Sequence, residues 1–536
     1  MSWPIPTSPV GPPSPHSKDS ALRLRALAAL VLFLCLSVRP TRAGGSTITV
    51  VPAVAPTASD NDFTRIQDAL DGAGPGDTII LQGTFDFTES NAAASWALGG
   101  DGIGGTADDY SVYIPGGKDN VTLTANVLGD ATIQGPGDLA AINLEGVLFF
   151  DGGGNHGWTI SNLQIFDFDL AIGMFGNSSG AFDGMHVLNN RIRLARDLNA
   201  TVAPADSNQN IGIHFSFGTN QSIVNNRIDI PGDALSDSGN GQLASSVGMQ
   251  SSVAGGTVYD GLTIAGNLVS VLNAQSADPE TIIGIWENGD AQNSNITVAN
   301  NAFTNLGAGN DPALNRQRAF RVTSHSSATT IVLYQANAVD GANVAFQWIA
   351  GLDFTAQQAV VLQGNQIAGS NTGVLVQSNG AAHLTGNAIT GSGSGGGIHV
   401  VTGTLAGSGA ESSGVINTSV TGGSGPGIWL ESAANLPAPI VSNDLSGNAG
   451  FGLLNETAFT IDASRNWWGN NLRSAVLAAA SGSTPAIPGW RAAPTSMPGC
   501  LRSSRSSGPP RAARPRTRRS SEPAPPTPDP CSGAIR

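Results

Sequence analysis

Along most of the chain the apolar positions rewrite one short unit: a small residue, two large apolar residues flanking a variable one, then a polar or glycine turn. Gly212-Ile213-His214-Phe215-Ser216 is its clearest copy. The unit returns at Gly248, Gly284, Ala319, Ala345, Gly373, Gly397, Gly427 and Gly452, and an earlier copy reads Ala171-Ile172-Gly173-Met174. From Gly212 onward the starts fall 36, 36, 35, 26, 28, 24, 30 and 25 residues apart. One short strand every ~20–50 residues marks a solenoid, whose coils bury their apolar edges against one another. The pattern predicts an all-β solenoid of roughly 13 coils.

A second marker runs beside the first. Asn precedes a short apolar pair at Asn162, Asn190, Asn226, Asn267, Asn301, Asn337, Asn365, Asn387, Asn443 and Asn466. Asn tolerates the left-handed conformation of a sharp corner, and stacked amides hydrogen-bond from coil to coil as a ladder. Corner chemistry accounts for one Asn per coil without a sugar-binding role. It also accounts for the many Asn-x-Ser/Thr triplets without glycosylation.

Alternation assigns faces. Ile213 and Phe215 point inward, His214 and Ser216 outward, and stacking at ~4.8 Å lines equivalent residues into columns. One outward column reads Gly173, His214, Gln250, Trp286, Arg321, Gln347, Leu375, His399, Trp429, Leu454. The other reads Phe175, Ser216, Ser252, Asn288, Thr323, Ile349, Gln377, Val401, Glu431, Glu456. His214, Gln250, Trp286, Asn288, Arg321 and Gln347 thus offer an indole to stack on and forks for carboxylate or hydroxyl groups. A solvated sheet face mixes the same residue types and is the simpler reading. Glu287 falls at an inward position, where a lone carboxylate is costly, so a bulge or a register slip is expected there. Turned out beside Trp286, Glu287 would be the first acid/base candidate, with His214 second and Arg321 beside them.

The ends read differently. Thr47–Val51 is a first strand, and Asp60-Asn61-Asp62 supplies N-caps for an amphipathic helix over Phe63, Ile66 and Leu70 that stops at Gly72 and Gly74. Such a helix covers the open end of a solenoid. Pro75-Gly76-Asp77 then turns into the buried strand Thr78-Ile79-Ile80-Leu81. At the far end only the Ala-rich stretch Leu472–Ala480 is comparable. Long connections at Asp197–Asn210 and Pro231–Gly241 are loops of the kind where solenoids place specificity. The divisions drawn are 1–43, an extension and leader; 44–76, strand and capping helix; 77–470, the repeat; and 471–536, a short helical or irregular segment with a disordered tail.

Composition sharpens this picture. The 536 residues include 69 Gly, with only 12% charged and 6% aromatic residues. Residues 44–499 carry 12 Lys+Arg against 36 Asp+Glu, whereas residues 500–536 carry 8 Arg against 2 acids. A body this acidic argues against nucleic acid or an anionic membrane as partner and disfavours, without excluding, a polyanionic glycan. Arg23 and Arg25, the apolar run Ala26–Val38 and Thr41-Arg42-Ala43 form a secretory leader too short to span a bilayer. Cys35 within it makes lipid attachment the lesser alternative. The body has no cysteine, so neither disulfides nor thiolates act there. Asp101, Asp108 and Asp109 lie in the one dense Gly/Asp loop; Ca²⁺ is a weak candidate there, without the spacing of a known calcium loop. No other cofactor is expected.

These residues resemble the right-handed parallel β-helix proteins of the pectate lyase-like superfamily. Phe63–Leu70 followed by Gly76-Asp77-Thr78-Ile79-Ile80 is similar to that family's cap and first coil. Asn466-Trp467-Trp468-Gly469 is similar to an end-of-helix motif of its secreted bacterial members. The resemblance spans roughly residues 47–470. It implies an all-β right-handed parallel β-helix with a short N-terminal capping helix, and a polysaccharide or cell-surface glycan as partner. The family's enzyme motifs are not met. No Gly-His-Gly is present, Asp108-Asp109 precedes the regular repeat, and Asn190-Arg191-Ile192-Arg193 matches the polygalacturonase Arg-Ile-Lys only in part. No Asp cluster suited to Ca²⁺ stands beside an Arg base, and Lys118 is the sole Lys of residues 44–499. The sequence therefore points to a secreted, monomeric, glycan-contacting β-helix without a transmembrane segment. A polysaccharide lyase or glycoside hydrolase working in the outward groove is the alternative.

Overall fold

Apolar runs this short hold as strands only when neighbouring coils complete their hydrogen bonds, and a computed structural model of the chain shows that arrangement. It describes residues 45–106, 109–137, 146–150, 155–174, 181–195, 209–231, 245–251, 258–272, 281–287, 292–306, 317–322, 332–349, 360–377, 381–408, 411–435, 437–469 and 480–482. All belong to the unit Met1–Arg491; the leader, most of both long connections and the second unit, Ala492–Arg536, lie outside the described residues. Among the described residues, three sheets of 14, 13 and 11 strands receive strands in turn from the coils, together with one sheet of three. Pairing runs from coil to coil and is parallel throughout the named strands. Gln209–Phe215 pairs with Ser245–Ser251, that strand with Thr281–Glu287, and that one with Arg318–Val322. The fold is a right-handed parallel β-helix. No helix among the described residues is long and apolar enough to cross a membrane.

The interior is one continuous apolar stack that includes Phe215, Ile228, Phe303, Tyr334 and Trp348. Phe303, Phe320 and Phe346 follow one another along it with centroids 4.6 and 5.7 Å apart. The small residue that opens each repeat unit has a steric cause. A Cβ at Gly212 would stand 2.6 Å from the carbonyl oxygen of Gly248, and one at Gly248 equally close to that of Gly284. Coil spacing there leaves no room for a side chain.

The asparagine marker proves to be two neighbouring positions with separate tasks. Asn190, Asn226, Asn267, Asn301, Asn337, Asn365 and Asn387 are buried. Each of the first six passes an Nδ2 hydrogen to the next Oδ1 at 2.9–3.0 Å, and Asn387, the last, donates to the Leu362 carbonyl instead. Left-handed backbone falls one residue earlier, at Asn189, Asn225, Asn300 and Ala336, with φ between 53° and 58°. Asn162, with φ 60°, belongs to this second set. Thr418 interrupts the ladder, and Asn443 and Asn466 resume it. The terminal motif ends it: the Trp467 amide donates to the Asn443 carbonyl, and the Trp468 ring lies against Gly452.

The N-terminal cap has two helices where the sequence shows one. Helix α1 (Asp62–Gly72) begins at Asn61, which forms a capping box with Thr64. Phe63, Ile66 and Leu70 are buried beneath it. Lys118 Nζ donates to the carbonyls of Leu70, Asp71 and Ala73, placing the one Lys of the body at the negative end of the helix. Helix α2 (Ser90–Trp96) has too little apolar periodicity to be read from the sequence; the buried Trp96 fixes it against Phe87, Tyr110 and Phe168. At the other end Ala480–Gly482 pairs in parallel with Leu453–Asn455, so the sheet continues beyond residue 470 as strand.

Candidate functional site

The register reproduces the first outward column residue for residue. His214 pairs with Gln250, Gln250 with Trp286, Trp286 with Arg321, Arg321 with Gln347, and the row continues through Leu375 and His399 to Trp429. Upstream it extends through Gly173 to Phe149 and Tyr113, whose rings stack 6.4 Å apart. A solvated face is not what this row forms. His214, Gln250 and Gln347 are 2%, 6% and 4% exposed, while Trp286 and Arg321 are half-buried.

Burial decides the chemistry of His214. Its Nδ1 lies 3.1 Å from the Met174 carbonyl, which a neutral ring satisfies by donating that hydrogen. Desolvation pushes its pKa down to about 4, against the opposing pull of the Met174 carbonyl. An imidazole with so low a pKa accepts a proton only weakly, so it serves as a fixed polar group more than as a base.

A second outward row lies beside the first. Leu170, Ile211, Val247 and Ile283 form an apolar cluster separate from the interior, with Phe149 and Trp286 against it. Strict alternation places Ile211 inward with Ile213. The break comes at Gly212, where a Cβ would meet the interior Ile228 side chain at 3.0 Å, so the chain bends between the two isoleucines. The next member of this row is Arg318, in register between Ile283 and Val344. Burial, then the charge of Arg321, pushes the Arg318 pKa down to about 10; burial also lowers that of Arg321. The Arg321 guanidinium carbon sits 4.9 Å from the Trp286 ring centroid. Gln347 Nε2 donates to Gln377 Oε1 at 2.9 Å, fixing that amide. Gln250 Oε1, Gln347 Oε1 and Arg321 Nε are buried with no hydrogen-bond partner among the described residues. Two acceptors and one donor thus flank the indole, unspent.

The remaining candidates fall elsewhere. Glu287 pairs with Ser251 and Val322 without a register shift, so the expected bulge or slip is absent; its side chain lies outside the described residues. Asn288 lies outside them too, with Phe175, Ser252 and Thr323 of the second column. Ser216 is buried, contrary to its expected outward exposure. Asp101 and Asp109 accept from their own loop, at the Ile103 and Gly105 amides, and Asp108 is outside the described residues. No group of three His, Cys, Asp or Glu among the described residues could hold a metal ion.

Farther along the first row stands a group that sequence reasoning did not single out. His399 and Trp429 stack with centroids 4.2 Å apart and planes 2° from parallel. His399 Nε2 lies 2.7 Å from Glu431 Oε1, and Trp429 Nε1 donates to Glu456 Oε2 at 3.1 Å. Both outward columns contained these residues, and their adjacency was legible from the register alone.

No protein-family model matches the chain, and no curated protein sequence does. Solved structures do. An alginate lyase from Paenibacillus sp. is 17% identical, with 64% of this chain and 94% of that one covered and a TM-score of 0.38. The A-module of a mannuronan C-5 epimerase from Azotobacter vinelandii is 13% identical over 76% and 90%, TM-score 0.39. An alginate lyase of family PL6, solved with a trisaccharide, is 10% identical over 77% and 86%, TM-score 0.37. The likeness is one of fold.

Proposed function

We propose that the protein is an exported glycan-binding β-helix, and that its outward row from His214 to Gln347 is the contact face. One observation carries this reading: a half-buried Trp286–Arg321 pair stands between two buried amides whose acceptor oxygens have no donor. Buried polar atoms left unpaired cost about 1–3 kcal/mol each, so a sugar that settles on the half-buried Trp286 and Arg321 gains most when the two glutamine side chains turn to meet its hydroxyl groups. Hydroxyl groups suit Gln250 and Gln347, and a carboxylate suits the guanidinium groups of Arg321 and Arg318. A sugar acid supplies both on one ring. The acidic body disfavours such a ligand at long range, but Arg318 and Arg321 reverse the local sign. The leader in residues 1–43 supports export.

Binding fits the row better than turnover does. His214 is held neutral, and among the described side chains of the row from His214 to Gln347 there is no carboxylate to work with it. A lyase or hydrolase remains the second reading, favoured by the Arg318–Arg321 pair, which could neutralise a uronate carboxylate during proton abstraction.

The deciding experiment incubates the full chain with pectin, alginate and glycosaminoglycan oligosaccharides and follows both calorimetric binding and the release of reducing ends or unsaturated uronates. Binding without turnover is expected, weakened about tenfold or more by Trp286→Ala and by Arg321→Met. Turnover abolished by His214→Ala or Glu287→Gln would establish the enzyme instead. Absence of both binding and turnover would refute the reading.

A further inference from the structure

The two glutamines of the row differ in how their amides are held. Gln250 Oε1 and Gln347 Oε1 are both buried without a hydrogen-bond partner among the described residues. Gln347 is tethered at its other end, where Nε2 donates to Gln377 Oε1 at 2.9 Å. Gln377 is half-buried and comes from the next coil, in register with Ile349, two residues beyond Gln347. A side-chain amide accepts at one end and donates at the other, so its orientation decides what it can recognise. Turned end for end, Gln347 would set its oxygen against that of Gln377, two acceptors with no hydrogen between them. The tether leaves Oε1 as the end that turns to meet a ligand.

The position of this oxygen gives the tether a consequence. Gln347 is in register with Arg321, one coil away. At ~4.8 Å per coil, a sugar whose carboxylate meets the Arg321 guanidinium brings hydroxyl groups of its own ring or of the next unit over Gln347. A free hydroxyl donates to Oε1. An ester or ether oxygen has no hydrogen to give, and leaves Oε1 unpaired inside the contact. Sites built to bond a hydroxyl reject analogues that lack one far more strongly than apolar pockets reject a misfit.

We infer that Gln377 is a positioning residue that holds Gln347 as an acceptor, so that the row takes glycan chains with free hydroxyl groups and rejects chains whose hydroxyls are esterified or etherified. This rests on the glycan-binding reading above and narrows its ligand class.

The test uses the full chain with galacturonate and mannuronate hexasaccharides, each unmodified and with its hydroxyls converted to methyl ethers, the carboxylates free in both forms. Calorimetry should show the unmodified chain binding about tenfold more tightly than its ether. Methyl groups also add bulk, and two variants of Gln377 separate bulk from polarity. Gln377→Met removes the acceptor and lets Gln347 turn its Nε2 to an ether oxygen, so the preference should fall to about threefold or less. Gln377→Glu can only accept, so it fixes the same orientation, and the preference should stay at about tenfold while the added charge weakens both chains alike. Steric exclusion would leave the preference in both variants, and a merely structural role would lose it in both. A preference kept in Gln377→Met, lost in Gln377→Glu or absent from the wild type would overturn the inference. Should Gln377→Met fail to fold, Gln347→Met removes the acceptor itself; the preference should fall there too, and one left intact would overturn the inference equally. If unmodified chains still bind and Trp286→Ala still weakens them, the glycan-binding reading survives that result. If neither unmodified hexasaccharide binds, both fall together.

Discussion

At the scale of single residues, burial sets the chemistry, and burial is what alternation alone cannot give. His214 was legible as an outward ring on a strand, which suggested a base. The structure keeps its place in the row and removes its basicity. Its unfolded pKa is near 6.5 and its folded value about 4. Above the unfolded value both states are neutral and the residue contributes nothing to the pH dependence. As pH falls below it, the unfolded chain takes up a proton that the folded one refuses, so stability declines until pH reaches the folded value. At 1.36 kcal/mol per pH unit this amounts to about 2.5 kcal/mol by pH ~4.5. His214→Asn should show a loss of stability between pH 7 and 4.5 smaller by that amount, measured by urea unfolding at each pH. Parallel curves for the two proteins would show that His214 takes up its proton as readily in the folded state as in the unfolded one, contrary to its burial. Arg318 shows the opposite failure of sequence reading. Its row was hidden because the bend at Gly212 breaks strict alternation, and only the coil-to-coil register brings Arg318 beside Arg321.

At the scale of elements, the ladder and the cap carry most of the specification. The sequence displayed the asparagines but merged two neighbouring functions. The structure separates them, and the separation is testable within a single corner. Asn301 is buried; its Nδ2 donates to Ile264 and Asn337, and its Oδ1 accepts from the amide and side chain of Asn267. Asn300, one residue earlier, is exposed and has φ 57°. Asn301→Gly should therefore cost about 3 kcal/mol, because buried donors and acceptors on both neighbouring coils lose partners. Asn300→Gly should change stability by less than about 0.5 kcal/mol, since glycine takes the left-handed conformation freely. Denaturant unfolding of the two variants compares them directly, and similar losses would contradict the division of labour. Helix α1 was readable from its N-caps and apolar spacing. Helix α2 was not: Trp96 is held by aromatic partners at Phe87, Tyr110 and Phe168, contacts separated from it along the chain and visible only in the packed cap.

For the molecule as a whole, period and register specified the solenoid because each coil repeats one local problem: a small opening residue, an inward apolar pair and an amide corner. The first outward column followed from that repeat without structural information. Its degree of burial did not, because neighbouring side chains and coil curvature decide it. Nor did the hydrogen bonds from His399 and Trp429 to Glu431 and Glu456, residues that the two columns showed only as neighbours. A glycan lying along this row would tie these observations together. The most direct measurement is a crystal structure of the full chain soaked with a uronate-containing hexasaccharide. Sugar density is expected across Gln250, Trp286, Arg321 and Gln347, with hydroxyl groups within hydrogen-bonding distance of both glutamine oxygens. Density elsewhere, for instance over Arg191 and Arg193 on the 11-stranded sheet, with an empty row at saturating ligand, would contradict it.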